Sequence, residues 1–209
     1  MIYVLEIQKR TIWFTRMILS DEQLVQEISR GSAPAMELLI QRWDRRLLNY
    51  FVRFTGNMEE AEDLRQELFL RVFHKARTFR FDGSFQAWIY RIATNLIIDR
   101  IGRKEKPAMQ PLQEENEYET MKHPPQGRCQ AQESEMQQRI ETALGRIPPE
   151  QRLILLLRHF ENLSFCQIAE ILDVPESTVK TRVYRGLDAL RKELARLGLL
   201  EMDCLGALS

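Results

Sequence analysis

The sequence of 209 residues predicts an all-α fold of two small helical domains joined by a flexible linker, the C-terminal one a helix-turn-helix. Three observations predict it. Apolar residues recur at three- and four-residue intervals along most of the chain, the period of a helix with one buried face. Nine glycines and eight prolines leave long stretches with neither, which suits helices better than a turn-rich sheet protein. One segment, residues 107–135, gathers Pro107, Pro111, Pro124 and Pro125 with few large apolar side chains, too few to offset the entropy of ordering.

Composition sets the outer bounds. At 44% hydrophobic and 29% charged, the chain is an ordinary globular one, which excludes wholesale disorder and collagen-like order. Thirty basic and thirty acidic residues balance to a net charge of +0, so a surface for a polyanion exists only as a local patch. Cys129, Cys166 and Cys204 are odd in number and far apart, without the spacing of a zinc site or a disulfide framework. They imply a reducing, cytoplasmic setting, and no metal or cofactor is expected. The apolar runs fall well short of the roughly 20 residues of a membrane span, so no membrane insertion is expected.

Residues 1–19 form an N-terminal arm broken by Lys9, Arg10 and Arg16, with no secretory cleavage site. A disordered arm and translation beginning at Met17 both account for it. The first domain spans 20–106. Ser20 followed by Gln23 is a capping box opening a helix over 21–30. Gly31-Ser32, Gly56-Asn57 and Asp82-Gly83-Ser84 then punctuate helices over 33–55, 58–76 and 84–105. In the third, Ala61, Leu64, Leu68, Phe69, Val72 and Phe73 build one core-facing stripe.

The linker, 107–135, carries Glu114, Glu115, Glu117 and Glu119. The second domain spans 136–197, with helices over 135–145, 149–161, 164–172 and 176–196, and 198–209 form a tail. Pro149 suits a first helical turn, Ser164 with Gln167 repeats the capping box, and Asp173-Val174-Pro175 turns the chain tightly. Ile168, Ala169, Leu172, Val174, Val179, Val183, Leu187 and Leu190 form the expected seam of a helix-turn-helix. Its second helix presents Ser177, Lys180, Thr181, Arg182, Tyr184 and Arg185 on the other side. Six basic against three acidic residues over 176–196 favour a polyanion, and a helix fits the DNA major groove.

Two further charge patterns bear on function. From 75 to 106, eight cations face three acidic residues, interleaved with Phe79, Phe81, Phe85, Trp88 and Tyr90, the mixture that suits single-stranded nucleic acid. Trp88 shares core spacing with Ile89, Ile92, Ala93 and Leu96 and reads as packing, whereas Phe79 and Phe81 fall in the loop. From 59 to 67 the sign reverses, with five acidic residues against Arg65. The helix dipole explains some of these, but Asp63, Gln66, Glu67 and Leu70 form a strip opposite the apolar stripe. Such a strip repels DNA and suits a protein partner.

Together these segments resemble the extracytoplasmic-function group of bacterial sigma factors, the small members of the sigma-70 family, over residues 20–197. AEDLRQELFLRVF is similar to that family's core-polymerase-binding segment, and SFQAWIYRIATNLIIDRIGRK to its promoter-melting and minus-ten segment. The helix-turn-helix resembles its minus-thirty-five reader. The resemblance implies an alternative sigma factor that binds core RNA polymerase and promoter DNA. It implies Asp63, Gln66, Glu67 and Leu70 at the polymerase. It implies Phe79, Arg80, Phe81, Phe85, Arg91, Asn95, Arg100 and Arg103 at minus-ten DNA, and Ser177, Lys180, Thr181, Arg182, Tyr184 and Arg185 at minus-thirty-five DNA. An anti-sigma factor is implied only by analogy. The acidic linker reads mainly as a soluble tether, with RNA mimicry in the polymerase exit path as the other reading.

Two rivals stand beside this reading, and a different signal counts against each. An autonomous helix-turn-helix regulator leaves the acidic strip and the aromatic loop without a role. A metal-dependent nuclease using Asp63, Glu67 and Asp99 lacks a histidine-carboxylate spacing, a phosphate-binding glycine loop and a nucleophile motif. No covalent catalysis is expected.

Overall fold

The structure, a computed structural model, describes residues 19–80, 84–104 and 134–199, the side chains of 103, 104 and 134–137 excepted. The N-terminal arm up to residue 18, the linker up to residue 133, Phe81, the Arg103 side chain and the tail from residue 200 therefore lie outside the described residues, while the last two positions of the expected linker, 134 and 135, belong to a helix. Within them the chain is all-α: α1 (Asp21–Ser29), α2 (Ala33–Thr55), α3 (Met58–Lys75), α4 (Phe85–Lys104), α5 (Ser134–Arg146), α6 (Pro149–Leu155), α7 (Phe165–Leu172) and α8 (Glu176–Arg196).

Local chemistry sets most boundaries. The Ser20 hydroxyl accepts from the Gln23 amide at 3.3 Å while the Gln23 side chain accepts from the Ser20 amide at 2.8 Å, so the capping box forms in full. α2 begins with the Ser32 cap and a first-turn proline, and ends at Gly56, whose φ of 68° is the left-handed cap that glycine adopts without strain. Asn57 caps α3 by accepting from Glu60 N–H at 3.1 Å. Ser164 and Gln167 build the second capping box, at 3.1 and 2.9 Å.

The core of the N-terminal half packs α3 on α2 and α4 on α3. Leu39, Trp43, Leu47, Tyr50, Phe51 and Phe54 recur along one face of α2, where each side chain removes apolar area from water. Asp21 ties α1 to this helix by accepting from Trp43 Nε1 at 2.9 Å and Arg42 Nη1 at 3.0 Å. α4 differs: Phe85, Ile89, Tyr90, Ile92, Ala93, Leu96 and Ile97 are all buried and surround much of the helix. A helix apolar on several sides is a central one, and α4 lies between α3 and α7.

Three expectations need correction here. Phe73 does not join the buried stripe of α3: it is 52% exposed, on the last turn of that helix. Leu187 drops out of the helix-turn-helix seam and is exposed, while Ile171, absent from the expected seam, is buried within it. The helix expected over 149–161 is also interrupted. After α6 the chain widens into a π-helical turn over Leu156–Phe160, with Glu161 N–H bonding back to Leu156 O at 3.1 Å, and Asn162 then takes a positive φ of 57°.

Gly186 shows why α8 approaches α6 closely. A Cβ there would lie 3.1 Å from Leu155 Cγ and 3.4 Å from Gln151 O. Gly186→Val is expected to overpack this crossing and cost about 1–3 kcal/mol, read as a lower urea midpoint with an unchanged slope.

The two halves share one continuous core, and two buried polar groups pin them together. Arg152 of α6, 4% exposed, donates to the carbonyls of Phe54, Gly145 and Ile147 at 2.6, 2.6 and 3.2 Å. Phe54 and Gly145 lie in the last turns of α2 and α5, whose carbonyls lack helical partners and carry the negative end of the dipole. Glu161, 2% exposed, is gripped by Arg46 of α2 and by Gln86 and Tyr90 of α4.

Candidate polymerase and nucleic-acid interfaces

On α3, Asp63, Gln66, Glu67 and Leu70 are all solvent-exposed, and Leu70 is 58% exposed despite being apolar. Helical spacing puts them on one strip, opposite the buried Ala61, Leu64, Leu68 and Val72. They form one wall of a shallow groove whose other side includes Leu96 and Arg100 of α4. Glu67 is held in place by Arg71 at 2.9 Å, which also donates to Asp99 at 3.1 Å. Burial alone would lower the pKa of Arg71, but these two carboxylates raise it, so it stays a cation between them. This geometry bears on the nuclease rival, because a guanidinium already sits between two of its three proposed ligands. Phe73, exposed on the next turn, extends the apolar end of the strip toward the 3-10 turn Ala76–Thr78, and only its place at the end of the stripe could have signalled this.

The expected minus-ten residues are dispersed by the fold. Phe79 and Phe85 are buried, and both correct the reading of them as platforms for unstacked bases. Phe79 stacks edge-on against Trp88 at 5.1 Å, and Phe85 against Trp43 at 5.1 Å, so the loop rings cement α4 to α2. Trp88 is half-buried against the core, as its spacing implies. Arg80, Arg91 and Asn95 are exposed, with Arg91 and Asn95 one turn apart on α4. Arg91 donates to the backbone carbonyl of Glu170 on α7, and Arg100 is half-buried and bound to Glu60 at 3.0 Å.

On α8, Ser177, Lys180, Thr181, Tyr184 and Arg185 are exposed, with Tyr184 69% open. Arg182 is half-buried on the flank of the helix, nearer to the seam of Val179 and Val183 than to the centre of the open face. The helix is presented by the left-handed Asp173 and by the Val174 amide, which donates to Ala169 O at 3.1 Å. The Lys180 ammonium pairs with Glu176 at 2.7 Å, which raises its pKa, and lies 5.7 Å from the Phe165 ring. Thr181 bonds back to Ser177 O at 3.0 Å.

Sequence reasoning missed the residues that join these surfaces. Burial pushes the Tyr90 hydroxyl far up, Glu161 adding to it, so it remains a proton donor to that carboxylate. Burial likewise raises Tyr50, which shares a 3.3 Å hydrogen bond with Thr94. Desolvation alone would lower Arg46, yet its pKa lies above the ordinary value because the Glu161 hydrogen bond, with Tyr90 beside it, outweighs burial. Arg152 is pulled down to about 10 by burial and remains charged at neutral pH.

An all-α chain with an acidic helix strip, a second cationic helix and a helix-turn-helix defines a multi-surface binding protein. Comparison with known proteins gives its class. The sigma-70 region 2 profile matches residues 39–106, and the sigma-70 region 4 profile matches residues 137–190. The chain is 33% identical over 180 residues to the ECF RNA polymerase sigma factor SigW of Bacillus subtilis, covering 83% of this chain and 96% of that protein. It is 31% identical to the RNA polymerase sigma-H factor of Pseudomonas aeruginosa, covering 85% of this chain and 95% of the other. The chain belongs to the extracytoplasmic-function sigma factors of the sigma-70 family.

Solved structures agree on the fold. CnrH, in complex with the cytosolic domain of CnrY, superposes with a TM-score of 0.61 at 20% identity, covering 84% of this chain and 97% of that one. RpoE of Bartonella quintana, in complex with the anti-sigma factor NepR, gives a TM-score of 0.56 at 19% identity, covering 75% and 94%. No helix among the described residues is long and apolar enough to cross a membrane.

Proposed function

We infer that this chain is an alternative sigma subunit that brings core RNA polymerase to a promoter and directs initiation, while nucleotide addition belongs to the polymerase. The observation that carries this reading is the opposition of surfaces: an exposed acidic-apolar strip on α3 and an exposed cationic face on α8, on one chain of the sigma-70 family. Asp63, Gln66, Glu67 and Leu70 dock on polymerase, with Phe73 adding apolar area. Arg80, Arg91 and Asn95 face minus-ten DNA, with Phe79 and Phe85 supporting the surface from within. Lys180, Thr181, Tyr184 and Arg185 face the minus-thirty-five major groove. Residues 20–106 form the first functional domain and 136–197 the second.

The partners follow from the same surfaces. A cytoplasmic location is where polymerase and promoter meet. The complexes of CnrH with CnrY and of RpoE with NepR support an anti-sigma factor as a third partner. Gel filtration with purified core polymerase tests the docking half: co-elution is expected, and separate elution in mild salt contradicts it. For the groove-facing helix, Arg185→Ala is expected to weaken minus-thirty-five binding by about 1–3 kcal/mol and to relax base preference there. An equal loss on every duplex, in a fluorescence-anisotropy series, would make Arg185 a phosphate contact instead.

A further inference from the structure

α4 carries an exposed strip that the core does not use. Arg91, Asn95, Ile98 and Gly102 recur at intervals of four, three and four residues, which puts them on one face of the helix, while Ile92, Ala93, Leu96 and Ile97 are buried. Arg91 and Asn95 face minus-ten DNA in the proposed function, but Ile98 and Gly102 have no task there. Ile98 is 47% exposed, a large apolar side chain in an otherwise polar row. Other exposed side chains of its kind have uses: Leu70 and Phe73 lie on the polymerase strip and Tyr184 on the open face of α8. Gly102 has nothing within 4 Å of where a Cβ would stand, so packing among the described residues does not explain a residue that weakens a helix relative to alanine. The neighbouring Asp99 pairs with Arg71 at 3.1 Å, which offsets its negative charge beside the strip.

These features match features of duplex DNA. Three residues rise about 4.5 Å along a helix, close to the roughly 3.4 Å between successive phosphates of one strand, so Asn95 and Ile98 address neighbouring base pairs. An asparagine amide pairs with N6 and N7 of adenine, and the 5-methyl group of thymine is the apolar group that the major groove presents. An isoleucine held in water gains by covering that methyl and gains nothing from the polar edges of the other bases. Gly102, one turn further on, lets a sugar-phosphate strand come close to the helix backbone. We propose that Ile98 is a specificity residue for the minus-ten element: its side chain covers the methyl group of a thymine in the base pair next to the one that Asn95 addresses. The proposal rests on the assignment of α4 to minus-ten DNA above and sharpens it to one base and one methyl group. Burying a single group of that size is worth a factor of about four in preference.

The test is a transcription selection with holoenzyme reconstituted from the full chain and core polymerase. A template library randomised upstream of the start site is prepared twice, once with thymidine and once with deoxyuridine, which keeps the pairing edge and lacks the methyl. The parent chain is expected to prefer thymine at one position of the minus-ten element, and that preference is expected to fall about fourfold in the deoxyuridine library. Ile98→Ala is expected to show the lower preference in both libraries, with parental helix content and unchanged co-elution with polymerase, whereas Ile98→Val keeps the branched apolar stem and the methyl dependence. Equal minus-ten preferences of the parent in the two libraries overturn the proposal. Methyl dependence that persists in Ile98→Ala assigns the contact to another residue and overturns it as well. If the parent yields no start-specific transcript from either library, the reading of the chain as an initiating subunit falls and takes this inference with it; specific transcripts without methyl dependence sink the inference alone. Should Ile98→Ala lose helix content, Ile98→Gln, a stronger surface helix former than isoleucine, carries the same expectation.

Discussion

Arg152→Ala is expected to destabilise the protein by about 2–5 kcal/mol, the cost of leaving buried carbonyls without their donor. The reason lies in what this guanidinium caps. Three carbonyls from α2 and from the end of α5 point at it, and among the described residues no carboxylate pairs with it. Its charge is balanced instead by two helix C-termini, with its Cζ 5.5 Å from the centre of the Phe54 ring. Without it, buried carbonyls at Phe54 and Ile147 lose their donor, each costing about 1–3 kcal/mol unless water enters. Arg152→Met keeps most of the volume and isolates the polar contribution, whereas Arg152→Lys retains charge but cannot span all three acceptors. Urea denaturation followed by circular dichroism reads the series. The expected order of stability is Arg, then Lys, then Met, then Ala, and a methionine variant as stable as the parent would show that packing alone holds the junction.

The second large effect is functional. Asp63→Arg is expected to weaken binding to core polymerase by roughly 2–4 kcal/mol, because reversing a charge in a complementary interface places like charges together. Asp63 is exposed and points away from the core of α3, so the fold should tolerate the change. Leu70→Ala should produce a smaller loss on the same strip through apolar area alone. Titration of labelled core enzyme separates the two, with binding of the C-terminal helix-turn-helix to duplex DNA as the unaffected control. Unchanged holoenzyme formation by Asp63→Arg would move the docking surface elsewhere on the chain.

Most elements were legible because their signals are local. A capping serine with glutamine three residues on, a proline in a first turn and a glycine after a last turn act within one or two turns of backbone. The acidic strip was legible for the same reason, since helix period alone separates Asp63 and Glu67 from Leu64 and Leu68. Rings in a loop were misread because their fate depends partly on distant partners: Phe85 is buried among Phe79, Trp88 and Trp43, the last of them on α2. Phe73 and Leu187 carry helical core spacing but fall where no opposing element among the described residues covers them. Arg152 and Glu161 gave no periodic signal. Their burial is tolerated because of carbonyls and donors contributed by remote helices, which only the assembled junction brings near. The π turn before Glu161 likewise has no sequence marker of the kind that proline or glycine supplies.

A run-off transcription assay puts the account to its most direct trial: purified core polymerase, this chain as the sole initiation factor, and a library of promoter-bearing templates. The account predicts discrete transcripts that share sequence elements centred near minus ten and minus thirty-five, lost with Asp63→Arg. Absence of any start-site-specific transcript, from inhibitor-free protein that is fully helical, would contradict it.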